Sequence, residues 1–256
     1  MGKEQKLREL LKYLKRLKNP VLCYSGGVDS TFLLWACSQV YACEEYDAVI
    51  FLSPTMPYGQ MQNALSFASQ LQKPPMIIKL DETQSKNFAK NDAERCYYCK
   101  KQRLELLSGG IFQGRLILDG ANMDDLLDDR PGFKAAKEAK VISPFLDVNM
   151  FRNEIEEIAR ENNHPWGFLP PESCLITRIH KHKAINYSVL TCIDKGEQLI
   201  KSMGFSLVRL RWNQGRIRLE VYEKELPLVE NRYEEIDRVL KAIGFARGLC
   251  GYGKYK

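Results

Sequence analysis

Short apolar runs alternate with segments of helical spacing through the first two thirds of the chain. A continuous apolar run predicts a buried strand, and apolar residues recurring every three or four positions predict a helix. The predicted strands are residues 21–24, 48–52, 76–80, 116–120 and 141–145. The predicted helices are residues 3–18, 30–43, 59–71, 97–108 and 149–162. Such alternation is typical of the α/β class, in which helices flank a parallel sheet.

A proline-containing stretch followed by basic residues, at positions 164–183, ends this alternation and predicts a linker. The order then changes to helix, strand, strand, helix and a short ending, at residues 184–203, 206–212, 216–222, 226–243 and 245–251. Asn213, Gln214 and Gly215 provide a short hairpin connection. This order predicts a smaller α+β domain in which helices cover antiparallel strands. We therefore predict two domains, residues 1–178 and 179–256.

Composition is that of an ordinary globular protein, with 45% hydrophobic and 27% charged residues. No apolar stretch approaches the ~18 residues needed to span a bilayer. The first residues lack the apolar core of a signal peptide, and Lys6 stands where a myristoylation signal requires Ser or Thr. We therefore predict a cytoplasmic protein without a membrane partner. The net charge of +6 suits a phosphorylated or carboxylated substrate and equally RNA, so it does not distinguish them.

The strongest local motif follows the first predicted strand and precedes a helix. Its two glycines let backbone N–H groups approach a polyanion, and its serines add hydroxyl donors at the helix start. It lacks the Gly-Lys-Ser/Thr ending of a Walker A loop and is not a dinucleotide-binding glycine motif. The residues of this phosphate loop are Ser25, Gly26, Gly27, Val28, Asp29 and Ser30. The motif predicts a nucleotide phosphate site, and a plain turn that caps the helix is the alternative interpretation.

The phosphate loop resembles the pyrophosphate-binding loop of the N-type ATP pyrophosphatases, which cleave ATP between the α and β phosphates. Three further motifs narrow the resemblance to the LarE-type sulfur transferases, which make the nickel-pincer cofactor of lactate racemase. These motifs are Asp119-Gly120-Ala121-Asn122-Met123-Asp124-Asp125 with Asp128-Asp129-Arg130-Pro131-Gly132, Ser173-Cys174 with Arg178, and Val208-Arg209-Leu210-Arg211. The resemblance covers nearly the whole chain, with the four motifs in the same order.

The resemblance implies an adenine nucleotide α-hydrolase-like fold and an ATP-binding site. Beyond the loop, it assigns nucleotide binding to Asn122, Asp125, Asp128 and Arg130. Carboxylates beside a phosphate loop can also hold Mg²⁺, which prefers oxygen ligands and bridges phosphates. An acidic, solvated helix start favoured by the helix dipole is the alternative. Lys100 resembles a family lysine that meets the nucleotide phosphate or the adenylate, and a solvated helix face is its alternative.

Three of the eight cysteines have a special arrangement: Cys96 and Cys99 form a CxxC motif, and Cys174 lies in a family motif. A lone CxxC is a weak metal signal, because four-cysteine zinc sites usually contain two such pairs. In one family branch the residue at Cys174 gives up its own sulfur, and in another the three cysteines hold a [4Fe-4S] cluster. The chain resembles the second branch, in which the iron without a protein ligand can present an added sulfide. Structural zinc with His180 or His182, and a sacrificial Cys174, are the alternatives.

Basic and acidic residues near the end of the chain resemble the family's substrate pocket. Arg209 and Arg211 are two residues apart on a predicted strand, so both point to one face and can form a fork for phosphate or carboxylate. Glu197 and Glu220 resemble acidic residues of this pocket. A further acidic family position falls near Leu228 here, which departs from the family pattern. The residues to which the resemblance gives catalytic roles are Cys174, Lys100, Glu197, Arg209 and Arg211.

These motifs together predict adenylation of a substrate carboxylate followed by replacement of AMP with sulfur. The resemblance implies a small mononucleotide substrate, a pyridinium bearing two carboxylates, together with a sulfide source and assembly into a homo-oligomer. A tRNA thiolation enzyme is an alternative, although aromatic residues are not interleaved with the basic clusters as in RNA-binding modules. An amide-forming ATP pyrophosphatase and a non-catalytic nucleotide-binding protein are further alternatives.

Overall fold

The computed structural model describes residues 2–71, 73–127, 131–169 and 172–255. Its helices are α1 (Lys3–Leu14), α2 (Val28–Val40), α3 (Tyr58–Ala68), α4 (Lys86–Ala89), α5 (Arg95–Leu107), α6 (Pro131–Glu138), α7 (Pro144–Asp147), α8 (Arg152–Glu161), α9 (Tyr187–Lys201), α10 (Leu226–Asn231) and α11 (Tyr233–Ala242). Its strands are β1 (Pro20–Tyr24), β2 (Asp47–Leu52), β3 (Met76–Lys79), β4 (Leu116–Leu118), β5 (Arg209–Asn213), β6 (Arg216–Val221) and β7 (Leu249–Lys254). No helix within these ranges has both the length and the apolar character needed to cross a membrane.

The first unit of the chain is built on a parallel sheet and comprises Met1–Ser53, Gln60–Leu80 and Glu94–Pro171. Its four strands lie in the order β3-β2-β1-β4, and helices flank them. Val21 on β1 is buried with Leu104 of α5 and Ala135 of α6. In another part of the core, the ring of Phe32 on α2 lies 5.8 Å from that of Phe145. The α/β fold class and the first four predicted strands are therefore confirmed. The expectation that all four are buried is wrong for β3, which forms the edge of the sheet and exposes Met76 and Ile77.

The fifth predicted strand, residues 141–145, is wrong. Only an isolated parallel bridge joins Leu118 to Ile142, and α7 begins at Pro144. Proline has no N–H to donate to a sheet, whereas its fixed φ suits the first turn of a helix. The apolar run is therefore divided between one bridge and one helical turn.

The second unit holds the smaller sheet and comprises Pro54–Gly59, Asp81–Ala93 and Glu172–Lys256. Its strands lie in the order β5-β6-β7, with β5 and β6 antiparallel. The predicted hairpin is confirmed, since Gln214 and Gly215 both have positive φ, at 49° and 78°, as a tight turn of this kind requires. The expectation of purely antiparallel strands is wrong: β7 runs parallel to β6, because α10 and α11 carry the chain back before it re-enters the sheet. The domain boundary between residues 178 and 179 stays a prediction.

Candidate active site

The phosphate loop connects β1 to α2, and its shape depends on glycine at position 26. Gly26 has a φ of +76°, in the left-handed region that favours glycine. A Cβ atom there would also overlap the Cβ atom of Ala64 on α3. Gly27 then precedes α2 in an extended conformation, and no side chain caps the helix. Because the first N–H groups of a helix lack intrahelical partners, this turn is suited to bind an anion.

Two serine hydroxyls cross the loop and connect its ends. Ser30 Oγ lies 3.0 Å from Ser25 Oγ, accepts from the Ser25 N–H at 3.2 Å and donates to the Gly27 carbonyl oxygen at 3.1 Å. Gly120, just beyond β4, approaches the same loop, because a Cβ atom there would lie 3.0 Å from the Ser30 nitrogen. Two motifs that are far apart in the sequence therefore meet at the loop.

Asp29 is the half-buried carboxylate of the loop. Its Oδ1 atom is buried and has no hydrogen-bond partner among the described residues. The pKa of Asp29 is raised to about 6, mainly by burial and also by the charge of Asp125. The charge of Arg152 on α8 and a hydrogen bond with Asn122 act in the opposite direction. Asn122 and Asp125, to which the family resemblance assigns nucleotide binding, therefore lie around Asp29.

This group of oxygen atoms fits a magnesium ion. Mg²⁺ keeps several waters and needs only one or two carboxylates from a protein. Asp29 supplies a buried oxygen without a partner, and Asp125 is close enough to raise the pKa of Asp29. Both features are those of a carboxylate pair arranged for a cation. Asp128 and Arg130, which the family resemblance also assigns to nucleotide binding, lie outside the described residues.

Lys100 lies on α5 and forms an ion pair with the motif that approaches the loop. Its Nζ atom is 2.6 Å from Oδ2 of Asp119, the residue before Gly120. The other Asp119 oxygen accepts from the Ser143 hydroxyl at 2.6 Å, so this carboxylate is held on both sides. The structure thus places the Lys100 ammonium beside the end of β4, in the same unit as the phosphate loop. Its role toward the nucleotide stays a prediction.

The two cysteines of the CxxC motif lie in the first turns of α5. Cys96 and Cys99 are three residues apart, so they lie on one side of the helix. Tyr97 between them donates to Glu138 of α6 at 2.9 Å and ties the two helices together. Cys174 belongs to the second unit and precedes a 3₁₀ turn. Within the described residues no group of three His, Cys, Asp or Glu side chains is arranged to hold a metal ion. The three-cysteine ligand set therefore stays a prediction.

Arg178 is fully buried in the second unit and organises the segment that carries Cys174. Its guanidinium donates to both carboxylate oxygens of Glu197 on α9, at 2.8 and 3.0 Å. It also donates to the carbonyl oxygen of Ser173 at 2.9 Å and to its hydroxyl at 2.7 Å. Burial acts to lower the pKa of Arg178, but the hydrogen bonds and charge of Glu197 outweigh it and raise the pKa. The arginine therefore stays charged and fixes the backbone next to Cys174.

Arg209 and Arg211 lie on the same face of β5, and both have carboxylate partners. Nη1 of Arg209 lies 3.3 Å from Glu172, and burial together with the charge of Arg178 lowers the pKa of Arg209. Nε of Arg211 donates to Glu220 at 2.8 Å. The fork of two arginines that the sequence predicts is thus largely neutralised within the unit.

Two charged residues of these clusters have no counterpart in the sequence-based predictions. Glu172 lies in the stretch predicted as a linker, and its only signal is an acidic side chain two positions before Cys174. Arg152 lies at the start of a predicted amphipathic helix, and its effect on Asp29 depends on the packing of α8 rather than on any local motif.

Comparison with known proteins gives similarity along nearly the whole chain. No protein-family model matches it. The uncharacterized protein MJ0830 of Methanocaldococcus jannaschii is 31% identical over 244 residues, which are 94% of this chain and 92% of that protein. The uncharacterized protein slr1717 of Synechocystis is 28% identical over 225 residues, 87% of this chain and 84% of the relative. Pyridinium-3,5-bisthiocarboxylic acid mononucleotide synthase of Lactiplantibacillus plantarum is 26% identical over 253 residues, 96% of this chain and 90% of the synthase.

Proposed function

Because the chain belongs to the same family as MJ0830 and is similar to the L. plantarum synthase along its length, we propose that it is an ATP-dependent sulfur transferase of the LarE type. Its substrate is a pyridinium mononucleotide that bears carboxylates, and its product is a thiocarboxylate for a nickel-pincer nucleotide cofactor. The observation that carries this proposal is the phosphate loop, where Gly26 packs closely against α3 and Gly120 approaches Ser30 at an uncapped helix start.

The reaction has two steps in which each leaving group departs with its electron pair. A carboxylate oxygen of the substrate attacks the α-phosphorus of ATP, and the bond to the bridging oxygen of pyrophosphate breaks. A sulfur nucleophile then attacks the carbonyl carbon of the acyl-adenylate, and the bond to the AMP oxygen breaks. The result is a thiocarboxylate, AMP and pyrophosphate. Positioning and neutralisation of the phosphate charge supply most of the rate enhancement in such chemistry.

The residues of the first unit divide the work of the first step. The N–H groups at residues 25–30 bind the β and γ phosphates. The Asp29 and Asp125 carboxylates would hold Mg²⁺, which would neutralise phosphate charge. The Lys100 ammonium, fixed 2.6 Å from Asp119, supports charge that develops as pyrophosphate leaves. Together these groups bind and neutralise the leaving pyrophosphate.

The sulfur nucleophile is assigned to a [4Fe-4S] cluster with Cys96, Cys99 and Cys174 as ligands. Thiols are the donors that such clusters take, and the pair on α5 lies on one side of its helix. When bound, a cluster with three protein ligands supplies an iron that can carry sulfide delivered by an external donor. The hydrogen bonds from Arg178 to Ser173 keep the backbone beside Cys174 in one conformation.

We expect pyrophosphate release that requires both ATP with Mg²⁺ and a pyridinium dicarboxylate mononucleotide, in an anaerobic assay. Asp29→Asn should lower this rate at least ~10-fold, because it removes a charged Mg²⁺ ligand. Glu157→Gln, which removes an exposed carboxylate on α8, is the matched control and should keep the wild-type rate. Release that depends instead on tRNA, or on ammonia, would replace this function by tRNA thiolation or amide synthesis.

The same assay has a pH signature. The pKa of Asp29 is raised from 3.8 to about 6. Ionisation of Asp29 therefore lowers the stability of the fold as pH rises from about 4 to about 6. A bound cation reduces this loss of stability, because it compensates the buried charge. The rate at low Mg²⁺ should fall as pH drops through about 6, because protonated Asp29 is a poor ligand. Saturating Mg²⁺ should move this fall in rate to lower pH. The Asp29→Asn variant should not show the fall.

We expect anaerobically purified protein to contain about four iron and four labile sulfide per chain, as a [4Fe-4S] cluster does. Cys99→Ser should lose both, because it removes one of the three thiolates. Cys250→Ser, which changes an exposed cysteine on β7, should retain them and controls for general loss of a thiol. A colourless, iron-free wild-type preparation would contradict the cluster and leave adenylation standing.

A further inference from the structure

The serine that precedes α7 does not cap this helix. A serine hydroxyl at such a position usually accepts from one of the first helical N–H groups. Among the residues that the structure describes, Ser143 makes no such bond, and its hydroxyl donates instead to Oδ1 of Asp119 at 2.6 Å. We propose that Ser143 is a positioning residue, which holds Asp119 so that the Lys100 ammonium keeps one orientation at the end of β4. The proposal rests on the proposed function and adds a residue to its first step.

The backbone at the end of β4 brings Ser143 and Asp119 together. The Ile142 N–H donates to the carbonyl oxygen of Ile117 at 2.9 Å, and the Asp119 N–H donates to the carbonyl oxygen of Ile142 at 3.1 Å. These two bonds form the isolated parallel bridge between Leu118 and Ile142. Ser143 and Asp119 are the residues that follow this bridge on its two sides. Their contact is therefore set by the register of the backbone.

Two donors fix the orientation of the Asp119 carboxylate, which is buried. Both act on Oδ1: the Ser143 hydroxyl at 2.6 Å and the Ala121 N–H at 3.3 Å. The other oxygen, Oδ2, then lies 2.6 Å from Nζ of Lys100. Because the bond from Ser143 is much the shorter of the two on Oδ1, its loss would allow the carboxylate to turn and Lys100 to move with it.

The start of α6 holds the rest of the Lys100 side chain. A Cβ atom at Gly132 would lie 3.4 Å from Cδ of Lys100, and Nζ lies 5.9 Å from the centroid of the Phe133 ring. These contacts confine the stem of the side chain but do not direct its N–H groups. Asp119 accepts from one of the three donors of the ammonium, and the other two can meet an anion. Their direction depends on Asp119, and therefore on Ser143.

Steady-state pyrophosphate release tests this role. Ser143→Ala should lower kcat at least ~10-fold, since a misplacement of about 1 Å can cost ~100-fold in rate. The KM for ATP should stay within about 2-fold, because Lys100 acts on charge that develops as pyrophosphate leaves. Ser143→Thr keeps a hydroxyl and should restore most of the rate. Ser108→Ala removes a hydroxyl that donates to a carbonyl oxygen at 2.8 Å, and as the matched control it should keep the wild-type rate.

Two further measurements show whether Ser143 acts through Lys100. In a Lys100→Met background, Ser143→Ala should lower kcat no further, because the group that it positions is already absent. Acetylation of Lys100 by acetic anhydride, followed by mass spectrometry without nucleotide, should be ~5-fold faster in Ser143→Ala than in the wild type. This is the factor expected for the loss of a typical hydrogen bond, since a lysine no longer fixed to Asp119 is more accessible to the reagent.

The outcomes distinguish this proposal from the proposed function. Equal kcat values for Ser143→Ala and the wild type would overturn the role of Ser143, and so would a further fall in the Lys100→Met background. Unchanged acetylation of Lys100 in Ser143→Ala would overturn it as well. A wild-type protein that releases no pyrophosphate would refute the proposed function, and the acetylation rates would then decide alone whether Ser143 fixes Lys100.

Discussion

Gly26→Ala is expected to lower ATP turnover at least ~100-fold and to destabilise the protein by about 2–5 kcal/mol. Two costs add at this position. An alanine at a φ of +76° costs about 1–2 kcal/mol, and the overlap of its Cβ atom with that of Ala64 costs about 1–3 kcal/mol more. The loop can relieve both only by turning its backbone. ATP turnover then falls further than stability, because the N–H groups no longer point at one phosphate position.

Gly110→Ala is the control for the strain at position 26. Gly110 has a φ of +57°, but no atom lies within 4 Å of its would-be Cβ, and it is remote in sequence from the loop. The Gly110→Ala variant should lose only about 1–2 kcal/mol of stability, from the left-handed backbone conformation, and should keep wild-type ATP turnover. Urea unfolding and pyrophosphate release measure the two effects. A Gly26→Ala protein with wild-type turnover would show that the loop does not bind the phosphates.

The fold was predictable where one local signal was sufficient. Four apolar runs gave four strands. The inner strands β1 and β2 are almost wholly buried, which requires apolar residues at consecutive positions, whereas β3 at the edge of the sheet is largely exposed. Residues 141–145 have the same apolar character, but Pro144 cannot donate to a sheet and starts a helix instead. The direction of β7 depends on where α10 and α11 return the chain, and no pattern inside residues 245–251 encodes that.

The motifs of the site could be predicted from the sequence, but the ion pairs between its charged side chains could not. The sequence placed Arg209 and Arg211 on one face by simple alternation. It could not show that Glu172 neutralises Arg209, because Glu172 lies in a stretch without periodicity. Which cation remains for a ligand depends on tertiary contacts between segments that are distant in sequence.

Arg178→Met is expected to destabilise the protein by about 3–5 kcal/mol, the usual cost of removing one partner of a buried ion pair. The substitution leaves the Glu197 carboxylate buried 3.9 Å from Arg209, still accepting from the Leu210 N–H at 2.8 Å. It also removes the hydrogen bonds that fix Ser173, so the segment with Cys174 becomes disordered and sulfur transfer falls with stability. Urea unfolding measures the first effect, and thiocarboxylate formation measures the second.

Lys241→Met breaks an ion pair of similar length on the surface, 2.6 Å to Asp237, and should cost less than about 1 kcal/mol. The contrast between the two variants is the test, because it separates a buried pair from an exposed one. The double variant Arg178→Met with Glu197→Gln should lose less than the sum of the single changes, since each single change leaves an uncompensated charge and the double change does not. Losses that simply add would show that Arg178 and Glu197 act separately. Glu197 would then be available to the substrate, as the family pattern implies, rather than committed to holding Arg178.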